Sequence, residues 1–105
     1  MIQIIQLKGT ARRLYELVAP LVMNPDVLMQ NYNYPFRTSE DFVWFVAVEK
    51  RKVIGFIPVE EKKKECIINN YYVEDNNEST LQLLLEKVIS NTTAGKELTS
   101  VTFME

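Results

Sequence analysis

The sequence predicts a single α/β domain, residues 1–105, with elements in the order β-α-α-β-β-β-α-β and a mostly antiparallel five-stranded sheet covered by helices on both faces. Three observations carry this. Residues 42–73 hold three apolar runs joined by short charged connections, which implies an antiparallel meander. Leu81, Leu84, Leu85, Val88 and Ile89 recur at i, i+3, i+4, i+7 and i+8, the spacing of one helix face. A further apolar run at 98–103 completes a strand–helix–strand crossover, which favours parallel pairing of the fourth and fifth strands. With 105 residues, 47% hydrophobic and 25% charged, the chain has the size of one domain and enough apolar side chains for a core.

The first element is a strand over residues 2–7, where Ile2 and Ile4 oppose Ile5 and Leu7, and Gly9 ends it. Thr10 is the expected N-cap of a helix whose stripe is Leu14, Leu17, Val18, Leu21 and Val22. Pro20 lies in that stripe and is expected to kink or shorten the helix. Asn24-Pro25-Asp26 reads as a fresh start, with Asn24 capping and Pro25 at the first helical position, and this second helix gives out near Asn31. The connection that follows packs Tyr32, Tyr34, Phe36 and Arg37 into a few residues, a mixture suited to folding over the sheet edge or to meeting a partner.

The second strand, 42–48, is apolar on both faces, with Phe42, Trp44, Val46 and Val48 on one side and Val43, Phe45 and Ala47 on the other. It is therefore central. The charged stretch 49–52 turns the chain into a third strand, 53–59, which carries Gly55 inside it and Pro58 near its end. A lysine-rich loop leads to the fourth strand, 66–73. Asn69 and Asn70 are unusual there, because Asn is depleted from strands, and they point to a bulge. Asp75, Asn76 and Asn77 break the chain before the Leu-rich helix, which Asn77 or Ser79 caps.

Net charge is −2, from 12 basic and 14 acidic residues, so neither nucleic acid nor an acidic membrane is expected as partner. The lone Cys66 has no partner for an intramolecular disulfide, and without a histidine to activate it packing is its better reading. The apolar stretch 2–7 is too short and too polar for a leader or membrane span, and a cytoplasmic location is the expectation. The absence of histidine removes the commonest general base and metal ligand, so metal catalysis is set aside.

This order of elements resembles the GCN5-related N-acetyltransferases up to their fifth strand. The phrase 45–49, a charged turn, then Val53-Ile54-Gly55-Phe56-Ile57 is similar to that family's second and third strands, and Tyr71-Tyr72-Val73 before a Leu-rich helix is similar to its fourth. The resemblance implies binding of acetyl-coenzyme A, with Tyr71, Tyr72 and Val73 along the cofactor and Asn76, Asn77, Ser79 and Thr80 at the helix start. It also implies direct attack of an amine on the thioester.

Two departures weigh against catalysis. The family's phosphate loop has the form Arg/Gln-x-x-Gly-x-Gly/Ala, whose backbone amides hold a pyrophosphate. The corresponding stretch here has no glycine and no arginine, and it places Glu74, Asp75 and Glu78 where a polyanion would sit. Acidic residues in a first helical turn are independently explained as partners of the helix dipole, and an ordinary capped helix start is the favoured reading over a phosphate cradle. The chain also ends at Glu105, just after the fifth strand, where the family continues into a further helix and a hairpin. Glu60, Glu61 and Glu65 are the positional candidates for a general base, set against the plainer reading of a solvated charged loop. Two functions follow as expectations: an acyltransferase-like domain that binds acetyl-coenzyme A weakly, or a non-catalytic interaction module with no cofactor. An uncovered last strand makes a homodimer the expected assembly.

Overall fold

The computed structural model describes residues 1–30, 36–63, 65–92 and 97–100. Strand β1 (Gln3–Lys8) pairs antiparallel with β2 (Phe42–Glu49), and β2 pairs antiparallel with β3 (Lys52–Glu61). The expected fourth strand is present as two pieces, β4 (Glu65–Ile68) and β5 (Tyr72–Val73), both antiparallel to β3. The last strand, β6 (Glu97–Ser100), runs parallel to β4, as the crossover requires, and the sheet order is β1-β2-β3-β4-β6 with β5 beside β3. The expected strand residues 101–103 lie outside the described residues.

Helices α1 (Arg12–Val22) and α2 (Pro25–Met29) cover one face of the sheet, and α3 (Glu78–Thr92) covers the other. The alternation read from β2 sets this arrangement. Phe42, Trp44 and Val46 join Leu14, Val18, Val27 and Phe56 under α1 and α2. Phe45 and Ala47 join Ile57, Val59, Cys66, Ile68, Leu84 and Val88 under α3. Cys66 is fully buried there, in keeping with its reading as a packing residue.

Two helix details differ from expectation. The N-cap of α1 is Ala11, without a side-chain cap, rather than Thr10. Pro20 neither stops nor shortens α1, which continues through it to Val22. Pro20 and Glu16 are both exposed, so the carbonyl that loses its helical donor faces water. Asn24 caps α2 as expected: the Asp26 N–H donates to Asn24 Oδ1 at 2.8 Å.

Close approaches explain the two interior glycines. A β-carbon on Gly9 would collide with the Ser39 carbonyl oxygen and Thr38 Oγ1. That contact matters because Thr38 Oγ1 donates to the Gly9 carbonyl at 2.7 Å and accepts from Trp44 Nε1 at 2.9 Å, satisfying a buried indole. A β-carbon on Gly55 would lie 2.8 Å from the Tyr72 carbonyl oxygen, closer than such contacts tolerate. Gly55 is thus what lets β5 lie against β3.

Candidate functional site

The break in the fourth strand has a countable cause. On β3, Val59 pairs with Ile68 and Phe56 pairs with Tyr72. Ile57 and Pro58 therefore face Asn69, Asn70 and Tyr71, three residues against two, which is a β-bulge. The extra residue reverses the side-chain phase. Cys66 and Ile68 point under α3, and alternation would send Tyr72 there too, yet Tyr72 packs under α1 and α2 while Tyr71 and Val73 lie under α3. The bulge read from Asn69 and Asn70 is present, and Asn70 is buried within it.

Pro58 sits at the centre of the opening. The Glu61 N–H donates to the Asp41 carbonyl at 2.8 Å, so residues 57, 59 and 61 turn their main-chain polar groups toward β2. Residues 56, 58 and 60 then face the fourth-strand side, in agreement with the Lys62 N–H donating to the Glu65 carbonyl at 2.8 Å. The donor that proline lacks would thus have pointed at the bulge. Where the fourth strand departs, β3 offers it the Pro58 carbonyl but no N–H.

The same parity fixes the direction of Val73. Because Phe56 faces β5, Tyr72 exchanges main-chain bonds with it and Val73 turns its N–H and C=O away from β3. Both groups meet one side chain, that of Gln30 at the C-terminal cap of α2. Gln30 Nε2 donates to the Val73 carbonyl at 2.9 Å, and the Val73 N–H donates to Gln30 Oε1 at 3.4 Å. Beside Gln30 opens a cleft of about 370 Å³, bordered by Asp26, Val27, Gln30, Tyr72, Glu74 and Asp75.

An aromatic row leads to the cleft across the strands. Trp44 and Phe56 have ring centroids 5.3 Å apart, Phe56 and Tyr72 5.5 Å, and Phe36 closes on Phe56 edge-on at 5.2 Å. Burial raises the Tyr72 phenol above its ordinary value, and the Glu74 carboxylate adds to the rise. Phe36 therefore covers the sheet, and Arg37 reaches Glu60 at 3.7 Å. Residues 31–35 of that connection, including Tyr32 and Tyr34, lie outside the described residues.

At the start of α3 the chemistry is different. Glu74 to Asn76 form one turn of 3-10 helix, with Asp75 at φ 56° and Asn76 at φ 52°, a conformation that glycine takes more easily than either. Glu74 receives Lys52 Nζ at 2.6 Å, and the bond to that carboxylate holds the lysine above its ordinary value. Asn77 caps α3: its Oδ1 accepts the Thr80 N–H at 3.1 Å, and its carbonyl accepts the Leu81 N–H at 3.1 Å. The capping expectation for Asn77 is met. It also occupies one of the amides that an anion would use. A second cleft, of about 240 Å³, opens beside this turn between Glu49, Ile54, Glu74 and Asp75, so both hollows flanking it are lined by carboxylates.

The structure thus gathers Tyr72, Val73, Asn76, Asn77, Ser79 and Thr80 into one stretch from β5 into α3, with Thr80 buried and Asn76, Asn77 and Ser79 exposed. Tyr71 lies on the opposite face, against the α3 core. Glu60, Glu61 and Glu65 stay at the far end, where β3 meets β4. No group of histidine, cysteine and carboxylate side chains among the described residues is arranged to hold a metal ion. Among them, too, no helix is long and apolar enough to cross a membrane.

A sheet whose fourth position is split by a bulge, with one strand running parallel beside its first half and two helices closing its second, defines the acyl-coenzyme A N-acyltransferase class of fold. Solved structures agree. An aminoglycoside acetyltransferase from an uncultured soil metagenomic sample superposes with TM-score 0.69 at 20% identity, over 95% of this chain and 78% of its own. The ribosomal-protein-alanine N-acetyltransferase of Brucella melitensis biovar Abortus 2308 superposes with TM-score 0.66 at 15% identity, over 95% and 81%. An aminoglycoside N-acetyltransferase in complex with coenzyme A gives TM-score 0.60 at 11% identity, over 95% and 76%. No protein-family model and no curated protein matches the chain. The fold is that of the GCN5-related N-acetyltransferases.

Sequence reasoning missed Gln30, which belongs to the site from 43 residues away. It placed Pro58 at a strand end, whereas β3 runs on to Glu61. A proline inside an otherwise unbroken strand was the available signal for a missing neighbour.

Proposed function

We propose that this protein binds a coenzyme A thioester by its pantetheine arm along β5, holds the diphosphate end weakly, and supports at most slow acyl transfer to an amine. The observation that carries this reading is the bulge at Asn69, Asn70 and Tyr71, after which the Val73 N–H and C=O turn away from β3 to meet Gln30, a residue that lines a cleft. An outward N–H and C=O on a strand edge accept an extended amide as a further strand would. Pantetheine carries two such amides. The weak hold follows from charge: Glu74, Asp75 and Glu78 stand at the helix start, and Asn77 has already taken the Thr80 amide. In transfer the Tyr72 hydroxyl, kept protonated well past neutral pH, has a proton to give at the cleft. An ordered water would have to take the proton of the amine, since Glu60, Glu61 and Glu65 lie at the far end of β3.

A second reading, a non-catalytic module in which the cleft serves a protein partner, is favoured by the same acidic turn. Calorimetry and thermal melting with coenzyme A separate the two. A ligand that binds only the native state at ~100 times its dissociation constant stabilises it by about 2.7 kcal/mol. A rise in melting temperature with added coenzyme A supports the first reading; an unmoved transition at millimolar ligand ends it.

A further inference from the structure

The pairing of Gln30 with Val73 is unusual in kind. A primary carboxamide carries a donor and an acceptor on one planar group, the same pair that a peptide or ligand amide presents. Here one carboxamide satisfies both outward groups of Val73, so Gln30 does what a neighbouring strand residue, or an amide in a bound ligand, would do at that edge. It arrives from α2, on the opposite side of the cleft from β3, and its stem borders the same hollow as Tyr72 and Asp26. A residue and a ligand amide cannot both hold these two atoms.

We infer that Gln30 is an internal occupant of the ligand edge, which must swing away before an extended amide engages Val73 and which thereby sets the affinity of the cleft. This rests on the reading of the cleft as a pantetheine site. The exchange is of like for like, two neutral hydrogen bonds for two, and the net worth of such bonds in water is small. A side chain also leaves by rotation about its own bonds, whereas a paired strand leaves only by unfolding. Gln30 is only half-buried, so water reaches the carboxamide once it turns out. The device keeps β5 satisfied when the cleft is empty, at a cost to every ligand that uses the same atoms.

Coenzyme A titrated by calorimetry into the wild-type protein, Gln30→Ala and Gln30→Met tests this. Met keeps the length and apolar packing of the side chain without its amide, which covers the case in which Ala fails to fold. Removing the competitor is expected to tighten binding about tenfold, the equivalent of one to two hydrogen bonds. Pantetheine alone should show the same gain, and the adenine nucleotide half of coenzyme A should show none. A merely structural brace would lower the melting temperature without improving affinity. Equal or weaker binding of coenzyme A by both variants, with binding to the wild type intact, therefore overturns the role of Gln30 and leaves the proposed function standing. Binding by the variants but not by the wild type upholds the inference in its strongest form. No binding to any of the three overturns both.

Discussion

Val73 and Asp75 are two residues apart in sequence and present opposite kinds of surface. At Val73 the backbone turns a neutral N–H and C=O away from β3, where the Gln30 carboxamide meets both. At Asp75 the backbone is left-handed, and the side chains of Glu74 and Asp75 face the hollows on both sides of the turn. On the proposed reading of the cleft, holding a long cofactor is two separate tasks. One depends on strand geometry and survives many side-chain changes, because any residue but proline supplies an N–H and a C=O. The other depends on the charge and bulk of a few residues at a helix end, and it is lost by changing them.

Mutations break this contrast in graded ways. Phe56→Ala should do the most damage, since Phe56 is fully buried between Trp44 and Tyr72. A loss of about 3–5 kcal/mol in denaturant unfolding is expected, removing both regions together. Gly55→Ala should act on one region only. Its β-carbon would press on the Tyr72 carbonyl, costing about 1–3 kcal/mol and lifting β5 from β3, seen as faster amide exchange at Tyr72 and unchanged exchange in β1. The double change Glu74→Gln with Asp75→Gly should narrow the contrast instead. It removes two charges and relieves a left-handed aspartate, and calorimetry should show coenzyme A binding about tenfold tighter at low salt, with the gain shrinking as ionic strength rises.

Asn77→Ala exchanges stability for access. It should cost about 1 kcal/mol as the α3 cap is lost, while freeing the Thr80 amide for an anion such as inorganic phosphate. The smallest effect is in pH. The folded phenol of Tyr72 titrates above its ordinary 10.0, so its contribution to stability is complete below that value and is lost as pH rises through the folded one. Lys52, raised above 10.5 by Glu74, fades in the same direction. Tyr72→Phe should therefore flatten alkaline unfolding in part and leave the Lys52 share in place.

Much of the fold was legible because it rests on local patterns. The two-faced apolar run of β2 placed helices on both sides, and the spacing of Leu81, Leu84 and Val88 placed α3. Asn77 as a cap and Asn69 with Asn70 as a bulge were readable from residue chemistry, since each does its work within a few positions. Gln30 was not readable, because its role depends on where α2 docks, and nothing in its own neighbourhood announces a partner in β5. Pro58 was visible but misplaced. A proline near the end of an apolar run looks like a terminator until the partners on both sides of the strand are known.

Pro58 also decides where the opening is encoded. Residues 69–71 form the gap, and the strand opposite them lacks one of the two bonds that would close it. Like a zipper with a missing tooth, β3 has one donor fewer at that point whatever lies opposite. Deleting one of Asn69, Asn70 or Tyr71 would restore the count against Ile57 and Pro58 without restoring a donor. The break in pairing is thus encoded on both strands, in the extra residue at 69–71 and in the N–H that Pro58 lacks.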